Sequence, residues 1–212
     1  MRKLLIKKIL YCCVVIGSLA NSAHSQNNDQ TLTPANPFEG IALQAAVGYQ
    51  PYSIRASNIV IGPAQLKLPD QHYTGSSTPY FAGLSYTTAL TDRATVGVQI
   101  EVNPINEQYV LSLLPGYSFT SSIQGYFKLA WVNALVTVDQ AATQGKVSAT
   151  ANGLTAGLGV KQLWTKNWYG FVEANYVKMN AFKFNSSLLS LPINGNADYS
   201  GYNAMVGVGY KF

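Results

Sequence analysis

The sequence predicts an all-β fold, a single closed antiparallel transmembrane β-barrel of about eight strands that follow one another as an up-and-down meander. Three observations predict this fold: an export-type segment at the start, apolar and polar residues that alternate along successive segments, and connections that alternate between short and long. A chain that is exported and then closes into a barrel in a lipid bilayer explains all three.

The first 25 residues differ from the rest of the chain. Met1–Lys8 carries four basic residues and no acidic one, and Ile9–Ala20 is apolar. This apolar run of 12 residues is shorter than the roughly 20 that a membrane-spanning helix needs. Small residues follow at Ala23 and Ser25. We therefore expect a secretory signal peptide over residues 1–25, cleaved after Ser25 or else after Ala23; an uncleaved amphipathic anchor is the alternative.

Without this segment the composition of the chain changes. Four of the 14 Lys and Arg residues lie in it, so ten remain against nine Asp and Glu residues, and the remainder is nearly neutral. The basic character of the whole sequence is therefore no reason to expect a nucleic-acid partner. Both cysteines also lie in the first 25 residues, so we expect no disulfide, no cysteine-based metal site and no cofactor in the exported part.

The rest of the chain divides into two parts. Residues 26–37 are polar and contain Pro34 and Pro37, so we expect a flexible leader. Residues 38–212 are expected to form the barrel domain. Beyond the signal peptide no apolar run reaches 18 residues, which argues against membrane-spanning helices.

The first four predicted strands are Ile41–Gln50, Tyr80–Leu90, Thr95–Val102 and Tyr109–Phe119. In each of them apolar side chains occupy every second position, and the alternation is strictest in the third. A period of two predicts strands, because a helix would distribute the same residues around its circumference. Pro115 weakens the ladder of the fourth strand, since proline has no N–H to donate.

The last four predicted strands are Gly125–Val138, Gly153–Lys161, Trp168–Lys183 and Tyr199–Phe212. The first of these is ambiguous, because both of its faces contain large apolar residues. The second and the last alternate clearly between an apolar face and a face rich in glycine and polar residues. That second face suits the narrow interior of a small barrel, so we expect the apolar face to meet lipid.

The connections sort by their position in the chain. Those after the second, fourth and sixth strands are short: Thr91–Arg93, Thr120–Gln124 and Thr165–Asn167. Those after the odd-numbered strands are mostly longer: Ser53–Thr78, Asn103–Gln108, Asp139–Lys146 and Asn185–Asn196. Outer-membrane barrels have short periplasmic turns and longer external loops, whereas a soluble sandwich has no reason to sort its loops. We therefore predict that both ends of the barrel are periplasmic.

Two of the long connections contain apolar residues. Ile59, Val60, Ile61 and Leu66 interrupt the polar residues of the first, so part of it is expected to continue the first strand above the membrane. In the last long connection we expect leucines to pack against one another, although exposed apolar loop residues also mark binding surfaces.

Aromatic residues near the predicted strand ends indicate a girdle at the membrane interface, where a ring has one apolar and one wet edge. The alternative is that tyrosine is simply a good strand former. The residues assigned to the girdle are Tyr80, Tyr117, Trp164, Trp168, Tyr169 and Tyr210.

Charged residues fall on the inward face of the predicted strands. We expect Glu101, Lys128, Lys161 and Glu173 to form a network that fills the barrel interior, and Lys211 also to point inward. Such a network is either a packed polar core or an ion gate in a narrow pore. The packed core is favoured, because eight strands leave room only for side chains.

The end of the chain alternates as Val206, Val208, Tyr210 and Phe212, with an aromatic residue last. Together with the signal peptide, this ending resembles the C-terminal strand of Gram-negative outer-membrane proteins. The whole exported part is similar in size and strand count to small barrels of the OmpA, OmpX and opacity-protein type. The resemblance implies that the barrel-assembly machinery reads these four residues, and that the protein is a monomer in the outer membrane beside lipid and lipopolysaccharide.

For function, the sequence favours a structural or surface-interaction role, like that of an adhesin or antigen, with host or envelope proteins as partners of the external loops. A narrow pore is one alternative. A lipid A-modifying enzyme is another, since His72 lies near Asp70, Ser76 and Ser77 and can orient a hydroxyl nucleophile. The spacing matches no lipase-type motif, so we expect no catalytic residues and no enzyme. One histidine and scattered carboxylates also predict no metal site.

Overall fold

A computed structural model describes residues 36–212 apart from 106, 141–144 and 189–190. The predicted signal peptide and residues 26–35 of the predicted leader lie outside the described residues.

Strands make up the regular structure of the described part. They are β1 (Gly40–Ile61), β2 (Leu66–Lys67), β3 (Gln71–Ser77), β4 (Tyr80–Ala89), β5 (Ala94–Asn103), β6 (Gln108–Ser118), β7 (Ile123–Gln140), β8 (Gly145–Leu163), β9 (Trp168–Met179), β10 (Phe182–Leu188) and β11 (Leu191–Lys211). Among the described residues, no helix has the length and apolar character that a membrane span requires.

Eight of these strands close into a ring in the order β1, β4, β5, β6, β7, β8, β9 and β11. Each strand pairs antiparallel with its neighbour, and β11 returns to pair with β1 from Ala42↔Lys211 upward. Closure pairs the backbone groups of every ring strand on both sides, as a bilayer requires of a β-structure. The predicted eight-stranded antiparallel meander is confirmed.

The three short turns lie at one end of the ring, close to the predicted positions. They connect β4 to β5, β6 to β7 and β8 to β9, and in each a backbone hydrogen bond closes the turn, such as Trp164 N–H to the Trp168 carbonyl at 2.9 Å. Asn36, the first described residue, bonds through Nδ2 to the Asp92 carbonyl in one of these turns. The Lys211 N–H likewise donates to the Asn167 carbonyl, so both ends of the barrel chain lie at the short-turn end.

At the opposite end β1 continues above the ring, as predicted for part of the first long connection, and strands also occupy more of the other predicted loops than expected. β1 has 22 residues, and its upper part pairs with β3 from Gln50↔Ser77 to Ala56↔Gln71. On its other side the same part pairs with β11, which in turn pairs with β10. We call this arrangement of β3, upper β1, upper β11 and β10 the upper sheet. Long-range pairing supplies the hydrogen bonds that make these weakly patterned segments extended.

A bulge and an apolar cluster shape the upper sheet. The register between β1 and β11 shifts between Ser57 and Val60, and Asn58 has a φ of 52°, as the extra residue of a bulge does. Beside it, Ala56, Ile59 and Ile193 pack together on the inner face. Of the apolar residues in the predicted long connections, Ile59 and Ile193 therefore belong to a small core, whereas Leu66 is exposed.

Pro115 does not break its strand. β6 runs through it, and Pro115 pairs with Val96 of β5. Toward β7 the register is the same on both sides of the proline, with Leu113 opposite Leu129 and Gly116 opposite Tyr126. The ladder tolerates proline here because its neighbours on both sides hold the register.

Inward and outward side chains alternate along every ring strand. On β9 the inward residues, read from the short-turn end upward, are Tyr169, Phe171, Glu173, Asn175, Val177 and Met179. The interior is therefore layered, with aromatic rings at the bottom, polar and charged groups in the middle and apolar groups above. The upper layer also includes Phe81, Val110, Val132 and Met205 from other strands.

Candidate functional site

An ion cluster occupies the middle layer of the barrel. The Lys128 Nζ lies 2.6 Å from Glu101 Oε2 and 2.9 Å from Glu173 Oε1. The three residues belong to β7, β5 and β9, which are not neighbours in the ring, so the contacts cross the interior. Their side chains are only 1–2% exposed, so solvent does not pass around them and the lumen is closed at this level.

Neutral groups complete the coordination of Glu173. The Tyr126 hydroxyl donates to Glu173 Oε2 at 2.7 Å. Asn175 Nδ2 donates to Glu173 Oε1 and to Asn203 Oδ1, both at 2.7 Å. A buried carboxylate that accepts several hydrogen bonds besides an ion pair is stabilised in its charged form, which is what burial of an ion pair requires.

Lys161, the fourth residue of the predicted network, contacts aromatic rings and not the carboxylates of the ion cluster. Its Nζ lies 5.0 Å from the ring centre of Tyr126 and 5.5 Å from that of Tyr169, distances at which a cation is attracted to an aromatic face. Among the described residues it makes no ion pair within 4 Å. These two inward tyrosines were not part of the predicted network, although the alternation along their strands places both side chains on the inner face.

Glycines of neighbouring strands make room for these rings. A Cβ at Gly159 would overlap the Tyr126 ring, and one at Gly209 would overlap the Tyr169 ring. The glycine-rich inner face of the sequence is thus the complement of large inward side chains.

Most of the predicted girdle residues lie on the outer wall. Tyr80, Tyr117, Trp164 and Trp168 are 46–59% exposed. Tyr210 packs edge-to-face on Trp168, with ring centres 5.1 Å apart.

The assignment of Tyr169 to the girdle is wrong. Its side chain is 3% exposed and its hydroxyl donates to Gln44 Oε1 inside the barrel. Successive residues of a strand point to opposite faces, so an outward Trp168 makes Tyr169 inward.

The four residues of the predicted assembly signal lie on β11 and at its end. Val206, Val208 and Phe212 are exposed on the outer wall, and the Phe212 ring packs edge-to-face on Tyr210. Lys211 points the other way, and its Nζ donates to the Pro37 carbonyl.

The candidate catalytic group around His72 does not form a triad in the described part of the chain. The Asp70 carboxylate pairs with Arg55 at 2.8 Å and raises the pKa of that guanidinium above its ordinary value. The His72 Nε2 lies instead 3.3 Å from the hydroxyl of Ser53 on β1. The sequence could not indicate Ser53, because the pairing of β1 with β3 brings it there.

The described residues hold no group of three or more His, Cys, Asp or Glu side chains arranged for a metal ion.

Solved structures with the same fold are outer-membrane proteins. The outer membrane protein OprG from Pseudomonas aeruginosa is 17% identical, with 82% of this chain and 96% of that chain covered and a TM-score of 0.53. The outer membrane protein AlkL is 14% identical, with 89% and 96% covered and a TM-score of 0.53. No family model and no curated protein sequence matches the chain.

A third structure, the outer membrane protease OmpT from Escherichia coli, is 8% identical, with 87% of this chain and 99% of that chain covered. Its TM-score is 0.47. The similarity to OprG and AlkL shows the fold, and at that level the predicted resemblance to small Gram-negative outer-membrane barrels is confirmed.

Proposed function

We propose that the protein is a barrel of the Gram-negative outer membrane that presents its upper sheet outside the cell as a structural or interaction surface. The observation that carries this proposal is the outer wall, which is apolar between two levels of aromatic rings. Lipid favours such a wall, and amphipathic rings favour the interfaces above and below it.

The wall is continuous around the ring. Its exposed apolar residues include Leu43, Val47, Val98, Leu111, Leu113, Leu129, Leu158, Val172 and Val206. Tyr117, Trp164 and Trp168 lie near the short-turn end, and Tyr49, Tyr80, Tyr176 and Tyr202 toward the upper sheet. Soluble monomers rarely expose so large an apolar surface, since it would favour aggregation in water.

The short turns give the orientation. Outer-membrane barrels keep short turns in the periplasm and longer structures outside. We therefore place both ends of the barrel in the periplasm and the upper sheet outside.

The structure supports an interaction surface at the upper sheet better than it supports a pore or an enzyme. The exposed residues Leu66, Tyr73 and Arg55 offer apolar, aromatic and charged contacts to host or envelope proteins. In the described part of the chain β3 pairs with β1 alone, so its other edge presents backbone groups of the kind that bind extended peptides. The closed lumen argues against a pore, and the engagement of Asp70 by Arg55 argues against a catalytic triad with His72.

Single cysteines test the location and the orientation, because the sequence has no cysteine after Cys13. Thr74→Cys lies in β3, Lys166→Cys in the β8–β9 turn and Val172→Cys on the apolar wall. A maleimide too large to cross the outer membrane should label Thr74→Cys on intact cells. It should label Lys166→Cys only after the outer membrane is opened, and Val172→Cys only after heating in a denaturing detergent unfolds the barrel. Labelling of Lys166→Cys but not Thr74→Cys on intact cells would contradict the proposal.

A further inference from the structure

A continuous apolar groove runs along the outer wall over β11 and β9, between β1 and β8. It consists of three adjoining cavities of about 630, 670 and 510 Å³. Val172 and Val206 line both the first and the second cavity. Ala174 and Ala204 line both the second and the third.

In one row of paired residues that crosses four strands, two small side chains lie between large ones. Tyr49 pairs with Ala204, Ala204 with Ala174, and Ala174 with Leu158. At this level large residues therefore flank two alanines on the same outward face, which deepens the groove there, with the Val172–Val206 pair below and the Tyr176–Tyr202 pair above. Trp164 lines the lower end of the groove.

The length of the groove suits an acyl chain. Along β9 it extends from Gly170 to Tyr176, which at about 3.3 Å per residue corresponds to roughly 20 Å. One leaflet of the bilayer core is about 15 Å deep. A chain that enters from the upper end can therefore lie along the trough through the whole leaflet.

Hydrogen-bond donors lie directly above the upper end of the groove. The uppermost rings that line it belong to Tyr176 and Tyr202, which are 5.0 Å apart. Two residues further up, on the same outward face, Lys178 pairs with Ser200, and Ser200 pairs with Ser53. An exposed ammonium and two half-buried hydroxyls, of which that of Ser53 also contacts His72 Nε2, thus lie side by side just above an interfacial tyrosine pair, at the level where lipid headgroups carry phosphate.

We propose that the groove binds one lipid of the external leaflet, with an acyl chain along the trough and a headgroup phosphate that accepts hydrogen bonds from Lys178, Ser200 and Ser53. The chemistry is that of the lipid A part of lipopolysaccharide, which combines phosphates with acyl chains in that leaflet. The inference rests on the proposed function, because it requires the upper sheet to be external.

Native mass spectrometry of the refolded protein in detergent, with bis-phosphorylated lipid A added, tests the proposal. We expect one lipid A molecule retained per chain. Lys178→Gln removes the cation and should lower the retained fraction about tenfold, the effect of losing one charge-assisted contact. Ala174→Phe fills the trough and should also lower the retained fraction, because the acyl chain loses its space. Two matched controls should retain lipid A as the wild type does: Lys183→Gln, at an exposed position of β10, and Val98→Phe, on the outward face of β5 and outside the groove.

Several outcomes would overturn the inference. One is equal retention by all variants, and another is equal retention of lipid A without its phosphates. Equal retention of phosphatidylglycerol would show a general lipid surface instead. The folded state of each variant is read from its heat-dependent gel mobility, and Lys178→Gln, at an exposed position, decides if Ala174→Phe does not fold. If Thr74→Cys is labelled outside while lipid A is not retained, the inference alone fails; if Thr74→Cys is not labelled outside, the proposed function fails.

Discussion

Lys128 and Glu101 lie on strands that β6 separates, yet their Nζ and Oε2 atoms are 2.6 Å apart inside the barrel. The two long side chains reach over the inward face of β6, since two inward residues on next-but-one strands have backbones almost 10 Å apart in a flat sheet and the curvature of the barrel brings them closer. Glu173 completes the cluster from the other side. The stability of the barrel should therefore depend on this cluster more than on any exposed charge.

We expect Lys128→Met to lower the free energy of unfolding by about 3–5 kcal/mol, because it leaves two buried carboxylates without their cation. Urea titration of the protein refolded into lipid vesicles measures this change. Lys183→Met, at an exposed position, is the control and should change stability by less than about 0.5 kcal/mol. Equal effects of the two substitutions would show that the cluster does not stabilise the barrel.

Lys161→Met should be milder than Lys128→Met. Lys161 interacts with the rings of Tyr126 and Tyr169, and methionine keeps much of the apolar contact while it loses a cation–π interaction of about 2 kcal/mol. The same urea titration compares the two variants. A larger loss for Lys161→Met would mean that this lysine, rather than Lys128, balances the buried carboxylates.

Gly209→Val should destabilise the barrel by about 1–3 kcal/mol, since its side chain would enter the space of the Tyr169 ring. Adding Tyr169→Leu should restore part of the loss, because the smaller side chain vacates that space. Ala82→Val, on the exposed outer wall, also introduces a valine, but without this overlap, and serves as the control. Circular dichroism during thermal unfolding in detergent measures all four proteins. No rescue by Tyr169→Leu would exclude steric overlap as the cause.

Planar-bilayer recordings should show no steady single-channel openings for the wild-type protein, because the ion cluster and the apolar layer above it fill the lumen. A channel-forming porin added to the same bilayer controls for the sensitivity of the recording. Steady openings that disappear in Lys161→Met would contradict the packed core and favour the narrow pore.

We propose that the alternating end of β11 acts as the assembly signal, and expect Phe212→Ala to lower the amount of folded protein in the outer-membrane fraction severalfold. The physical reason is that Phe212 is an exposed ring next to Tyr210, available to a receptor before the barrel closes. Heat-dependent gel mobility of membrane fractions measures the folded amount. Leu90→Ala, at another exposed apolar residue near the short-turn end, is the control; an equal loss in both variants would speak against a terminal signal.

The alternation of apolar and polar residues along the chain predicted more of the strands and of the barrel interior than any sequence motif did. The period of two identified the eight ring strands and put Glu101, Lys128, Lys161 and Glu173 on the inner face, because neighbouring side chains of a strand must point to opposite faces. The same rule also determined the inward position of Tyr169, and its assignment to the girdle failed because proximity to a strand end was given more weight than phase.

Three features depended on the tertiary structure. In the closed ring Lys128, and not Lys161, lies next to both carboxylates. Ion pairs across the lumen depend on the heights of the strands relative to one another, which the sequence does not specify. Pairing of β1 with β3 and β11 makes the upper sheet out of segments that were predicted mostly as loops. Hydrogen bonds between distant segments hold these residues extended, although their apolar and polar residues alternate only weakly. The groove over Ala174 and Ala204 likewise exists only through register, which places two small residues of distant segments side by side.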